Sequence, residues 1–322
     1  MSVKWNGVFS DFKTLNGGGP QGALWGILEY LSISNNNTNY ISRNEKFKFI
    51  DDLSILEKIN LLSIGLSSYN FQLHVASDII QDGYFIDSTN LKTQEHLGSI
   101  AEWTKQSQML LNQSKSKLML FNFTRDFKCS TRLELENEVL ETIDETKLLG
   151  VMINNTLNWD TNTAFIVKRA NARMRLLHKL VEFNGPTPDL LTIYILYIRS
   201  VLEQSCQVWH GSLSFQNLTD LERAQKNALR IILKDDYISY ENALEKTDLE
   251  SLVERREELC LKFAKSCIKN ETVSDMFPLN PADYSVETRD IEVYRVTMAR
   301  KERLRCYAIP YMQRLLNANV KN

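Results

Sequence analysis

From Trp159 onward the apolar residues of this chain recur at helical spacing almost without interruption, and that pattern commits its second half to helices. Ile166, Ala170, Met174, Leu177 and Val181 step by 4, 4, 3 and 4 residues, which aligns them on one stripe of a helix. Leu190–Leu202, Leu218–Leu233, Leu249–Ile268 and Ile291–Leu316 follow the same rule. Gly185-Pro186-Thr187-Pro188 reads as a helix stop and restart between the first two.

Before Trp159 the texture alternates. Pro20-Gln21-Gly22 opens a helix reaching Ser34, on which Leu24, Ile27, Leu28 and Leu31 share a face. Phe47–Ile50 and Leu53–Leu56 read as two strands around an acidic turn, Asp51-Asp52. Leu61–Asn90 has no clean period and is treated as a connection. A helix is expected over Thr93–Asn112, a strand over Leu118–Phe123 and a hairpin-like stretch over Leu133–Ile143. Lys147–Ile153 is expected as one strand ending at Asn154-Asn155. The fold class is therefore α+β, with a mixed unit at 1–158 and an all-helical unit at 159–322.

Composition narrows the function classes. With 38 Lys+Arg against 40 Asp+Glu the formal charge is -2, so any nucleic-acid contact must come from a local basic face. Five cysteines, at 129, 206, 260, 267 and 306, include no CxxC pair, which argues against a disulfide framework and a zinc site. The four histidines have no partner at ligand spacing. No apolar run approaches the roughly 18 residues of a membrane span, and the N-terminus has no secretory core. An intracellular chain is expected, in nucleus or cytoplasm.

Three features carry chemistry. Asp51-Asp52, flanked by apolar strands, offers hard oxygen ligands for divalent cations, although Asp is also an ordinary turn residue. Gly17-Gly18-Gly19-Pro20-Gln21-Gly22 lets the backbone approach a ligand and precedes a helix N-terminus, though it is neither a phosphate loop nor a dinucleotide fingerprint. Lys168, Arg169, Arg173, Arg175 and Lys179 lie within twelve residues that hold no acidic residue. A helix with one apolar and one basic face can track a nucleic-acid backbone, or it can be an ordinary solvated helix.

Taken in order, these features resemble motifs of non-long-terminal-repeat retrotransposon reverse transcriptases. Gly18-x-Pro20-Gln21-Gly22 is similar to motif B and Phe49-Ile50-Asp51-Asp52 to motif C. Leu111-Asn112-Gln113-Ser114-Lys115-Ser116-Lys117, with Met119 and Phe121, resembles motif D. Lys147-Leu148-Leu149-Gly150-Val151, with Leu157 and Trp159, resembles the primer grip and the approach to the thumb. Gln207-Val208-Trp209 and Leu221–Ile232 are similar to the helical tail. The resemblance spans most of residues 15–235.

It implies a partial polymerase palm, an antiparallel sheet with helices, followed by a helical thumb and tail. It also implies an RNA-directed DNA polymerase acting on an RNA template, a DNA primer and deoxynucleotides through two Mg²⁺ (or Mn²⁺) ions. Asp51 would be the main metal ligand and Asp52 its neighbour, with Gly18, Pro20, Gln21, Gly22 and Phe49 on the template and nucleotide side. Lys115, with Lys117 as second choice, would donate a proton to pyrophosphate, and Leu149-Gly150 would support the primer terminus. Trp25 and Ile27 stand where the family has leucine and proline. The family's fingers and motif A carboxylate have no counterpart; Asp11, in Phe9-Ser10-Asp11-Phe12, lacks the pattern. The expectation is a fragment that binds Mg²⁺ weakly and is inactive alone, or a non-catalytic relic that binds nucleic acid or protein.

Overall fold

A computed structural model describes residues 91–107, 111–121, 131–271, 273–280, 293–299 and 302–320 in full, and strand residues 4–5, 8–9, 46–49, 52–55, 84–86 and 129–130 as backbone. The described residues are mostly helical, with small two-stranded sheets. Contacts divide the chain into Met1–Ile143 and Asp144–Asn322.

In the first unit, β1 (Lys4–Trp5) and β2 (Val8–Phe9) pair antiparallel, as do β3 (Lys46–Phe49) and β4 (Asp52–Ile55). The hairpin expected around the twin aspartates is present, with one correction. Asp52 opens β4 opposite Phe49 and so belongs to the ladder, because the residues flanking a short hairpin connection pair with each other. β5 (Tyr84–Ile86) runs parallel to β7 (Cys129–Thr131), and β6 (Lys117–Leu118) runs parallel to β10 (Glu141–Thr142). β8 (Glu134–Leu135) and β9 (Glu138–Val139) form a tight hairpin whose central residues Glu136 and Asn137 both have positive φ.

Helix α1 (Lys92–Gln106) buries Ile100, Ala101 and Trp103; of the face expected from spacing (Leu97, Ile100, Trp103 and Leu110), Ile100 and Trp103 are buried, Leu97 is half-buried and Leu110 lies outside the described residues. The side-chain amide of Gln94 pairs with the main chain of Glu134, donating to its carbonyl at 2.9 Å and accepting from its N–H at 2.9 Å. The helix stops short of the expected Asn112. That asparagine instead caps a 3-10 turn at Gln113–Lys115, its Oδ1 accepting from the Lys115 N–H. The strand expected over Leu118–Phe123 is limited, among the described residues, to the Lys117–Leu118 ladder.

The second unit begins with the hairpin β11 (Glu145–Leu148) and β12 (Val151–Asn154). This overturns the single strand expected over Lys147–Ile153. Leu149 at φ 48° and Gly150 at φ 89° form a two-residue turn with both centres left-handed, which suits the twist of a hairpin. The glycine was the signal; the apolar run on either side concealed it.

Seven helices then follow through residue 268: α2 (Asp160–Glu182), α3 (Thr187–Ile193), α4 (Ser200–Glu203), α5 (Cys206–Trp209), α6 (Phe215–Leu233), α7 (Tyr240–Thr247) and α8 (Leu252–Ile268). A π-helical stretch, Tyr194–Arg199, joins α3 to α4, so Leu190–Leu202 is continuous helical rod as expected. Ser214, Ser239 and Ser251 cap α6, α7 and α8, the last as a capping box with Glu254. α2 packs along α6. Ala170, Leu177, Ile198, Leu202, Trp209, Leu221, Leu229 and Leu252 are fully buried in one continuous core. Each large side chain removed from water contributes about 1.5–3 kcal/mol against chain entropy.

The helix expected over Ile291–Leu316 is a second correction. Residues 293–299 are extended and α10 (Ala308–Lys321), after a short α9 (Glu302–Arg305), is the helix. Two buried amides of α10 make the difference. Asn317 pairs with both main-chain groups of Tyr294 at 2.8 Å, and Gln313 bridges the Thr297 N–H to the Met276 carbonyl. An extended segment offers its main chain to side chains in a way that a helix does not.

Candidate nucleic-acid interface

The basic residues of α2 are placed by the helix's burial pattern. Asn162, Thr163, Ile166, Ala170, Met174 and Leu177 face the core, so the remaining arc looks outward. Lys168, Arg175 and Lys179 are exposed on that arc. Arg169 and Arg173 are half-buried at its edge. None of the five forms an ion pair with a carboxylate among the described residues. A ridge of uncompensated cations on one helix face is the electrostatic footprint of polyanion binding.

The two edge arginines are ordered. Arg173 stands over the ring of Tyr197, 4.3 Å from its centroid, and donates to the Tyr197 carbonyl. Arg169 lies 5.4 Å from the centroid of Phe165, one turn earlier, and its Nη1 donates to Gln204 Oε1 at 3.0 Å. Lys147 of β11 approaches the same ring at 5.2 Å. The hairpin is fixed to the helix by Asn162, whose Oδ1 accepts from the Met152 N–H at 3.1 Å.

The Leu149-Gly150 turn reaches this region through Gln204. A Cβ on Gly150 would stand 2.6 Å from Gln204 Nε2 and displace that amide, while φ 89° is what favours glycine here. Gln204 follows α4, and its carbonyl accepts from the indole N–H of fully buried Trp209 at 3.1 Å. A groove of about 650 Å³ between α2 and α6 is lined by Asp160, Asn217, Asp220 and Arg223. Its carboxylates are held internally, Asp160 by the Asn217 amide and Asp220 by Gln216 and Arg223. Its carboxylates make it unsuited to phosphate, and Ala164, Val167 and Ala224 complete its lining.

Gly18, Pro20, Gln21, Gly22 and Asp51 lie outside the described residues, and Phe49 and Asp52 are described as paired backbone only. Among the described residues no cluster of His, Cys, Asp and Glu gathers for a metal. Lys115 is exposed on its 3-10 turn, while Lys117 is paired with Glu141 across the β6–β10 ladder. Among the described residues no helix is long and apolar enough to cross a membrane.

Sequence reasoning named Lys147 only as part of the Lys147–Val151 segment and did not single out Phe165, Tyr197 or Gln204. The i, i+4, i+8 spacing of Phe165, Arg169 and Arg173 was available as a signal; nothing local marked Gln204, which matters only through contacts distant in sequence. Searches against models of known protein families, against curated proteins and against solved structures found no match to this chain.

Proposed function

We propose that this chain binds nucleic acid through the outward face of α2, as a remnant of a reverse transcriptase whose palm and thumb lie at 1–158 and 159–322. The observation that carries the reading is the exposure of Lys168, Arg175 and Lys179 together, with no carboxylate paired to any of them among the described residues. An ordinary solvated helix of this length mixes signs along its face; α2 places its acids only at its two ends, Asp160 and Glu182. The order of the motif B, C and D-like segments supports the polymerase origin. Under this reading Asp51 and Asp52 belong to a cation site and Lys115 to the pyrophosphate side. Catalysis is not expected from the chain alone, because a two-metal site needs a further bridging carboxylate.

The test is binding of a labelled RNA–DNA duplex, read by fluorescence anisotropy between 50 and 200 mM salt. Three phosphate contacts predict that K168Q/R175Q/K179Q weakens binding and lowers the slope of log K against log salt by about 2–3. Asp51→Asn leaves both unchanged. Equal slopes for the wild type and the triple variant would sink the reading. Primer extension with Mg²⁺ or Mn²⁺ is expected to give no product, and extension abolished by Asp51→Asn would show an intact catalyst instead.

A further inference from the structure

We infer that Lys147 and Arg169 form a two-cation clamp for a phosphodiester backbone, with Gln204 as its positioning residue; the inference rests on the nucleic-acid reading above and adds a site to it. Both cations stand over one ring, that of Phe165, at 5.2 and 5.4 Å from its centroid. They come from different elements, β11 and α2, and neither has a carboxylate partner among the described residues. Two like charges gathered about one ring repel each other, and the ring's quadrupole offsets only part of that. An anion spanning both removes the repulsion.

Arg169 is also prepared for the task. Gln204 Oε1 takes Nη1 at 3.0 Å, which fixes the plane of the guanidinium, while Nε and Nη2 make no hydrogen bond among the described residues. A planar fork with donors to spare and one edge already anchored meets phosphate oxygens with little entropy left to lose. Trp209 anchors the main-chain carbonyl of Gln204, and the bare Cα of Gly150 leaves room for its Nε2.

The experiment uses the full chain with two probes, an RNA–DNA duplex and inorganic pyrophosphate, each titrated by calorimetry. For the duplex, Lys147→Gln and Arg169→Gln should each lower affinity about tenfold and the salt slope by about 1. Gln204→Leu should lower affinity about threefold with the slope unchanged, since no charge is lost; a residue needed only for folding would not separate these two readouts. Arg169→Lys, which keeps the charge, should retain the slope but not the affinity, and Lys226→Gln, a cation over Tyr240 elsewhere, should match the wild type. Pyrophosphate binding should vanish in Lys147→Gln. Wild-type affinity and slope in both Lys147→Gln and Arg169→Gln, with K168Q/R175Q/K179Q impaired, would overturn the clamp and leave the nucleic-acid reading standing. Pyrophosphate bound through Lys147 and Arg169 without duplex binding would keep the clamp and overturn the reading. Binding of neither probe by the wild type overturns both.

Discussion

His210 and Arg256 meet inside the helical core in an arrangement that fixes the protonation of both. His210 is 5% exposed, its Nδ1 accepts from Arg256 Nε at 3.3 Å, and its ring meets Tyr311 edge-on at 5.7 Å. Burial, with the Arg256 charge adding to it, lowers the histidine from its usual 6.5 to about 3. Arg256 is fully buried over Trp209, and burial pulls its own pKa down against the opposing pull of Glu222. A histidine that is neutral when folded and protonated when unfolded costs stability only in acid. Its contribution is complete above pH 6.5 and drains away as pH falls toward 3, because the unfolded chain then binds the extra proton. Denaturant unfolding at pH 7 and pH 4.5 should differ by about 2–3 kcal/mol more in the wild type than in His210→Asn, which keeps an acceptor for Arg256 without a titrating ring. Equal pH dependence in the two proteins would mean that His210 is not held neutral.

At the scale of elements, the β11–β12 hairpin shows both what the sequence disclosed and what it hid. Its turn needs two left-handed residues; Gly150 meets the need, and Leu149 is 52% exposed at φ 48°. A leucine there crowds its Cβ against the following carbonyl at about 1–2 kcal/mol. Leu149→Asn should therefore raise stability by roughly 1 kcal/mol in denaturant unfolding, since asparagine tolerates the conformation and little apolar burial is lost. A loss of stability would place the leucine side chain in a contact that outweighs its backbone strain. Periodicity located the helices well, because the buried residues of α2 are the ones its 4, 4, 3 stepping selects. It failed at 293–299 and at 145–154, where the deciding partners are Asn317, Gln313 and a turn glycine, none of which alters a hydrophobic count. The basic ridge was legible for the same reason as the helix that carries it. The clamp beneath it was not, since Phe165, Gln204 and Lys147 meet only after three elements have packed.

For the molecule as a whole, each side of the division at Ile143 and Asp144 has its own buried apolar cluster among the described residues. The first gathers Leu91, Ala101, Leu133, Leu135 and Leu140 around α1 and the β8–β9 hairpin. The second gathers buried residues between Val151 and Leu316. Its interior also carries a polar network, although Glu222 Oε2 and both terminal nitrogens of Arg256 have no hydrogen-bond partner among the described residues. Tyr194 hydrogen-bonds to Gln225, which donates at 2.9 Å to Tyr240 and to the Glu250 carbonyl, and Glu222 accepts from both Tyr240 and the Leu252 N–H. Hydrogen bonds that link residues of α6, α7 and α8 to the Tyr194 stretch within one unit tie its helices into a single cooperative block. The α2 ridge and every residue of the Lys147–Arg169 clamp lie in this block. Residues 144–322 expressed alone should therefore unfold in one cooperative transition and bind the RNA–DNA duplex within about threefold of the full chain, with the same salt slope. If that piece folds and its slope falls, phosphate contacts come from residues before 144, and the nucleic-acid surface extends beyond the helical unit. If it does not fold, the core from Val151 to Leu316 depends on the first unit for stability that its own burial does not supply.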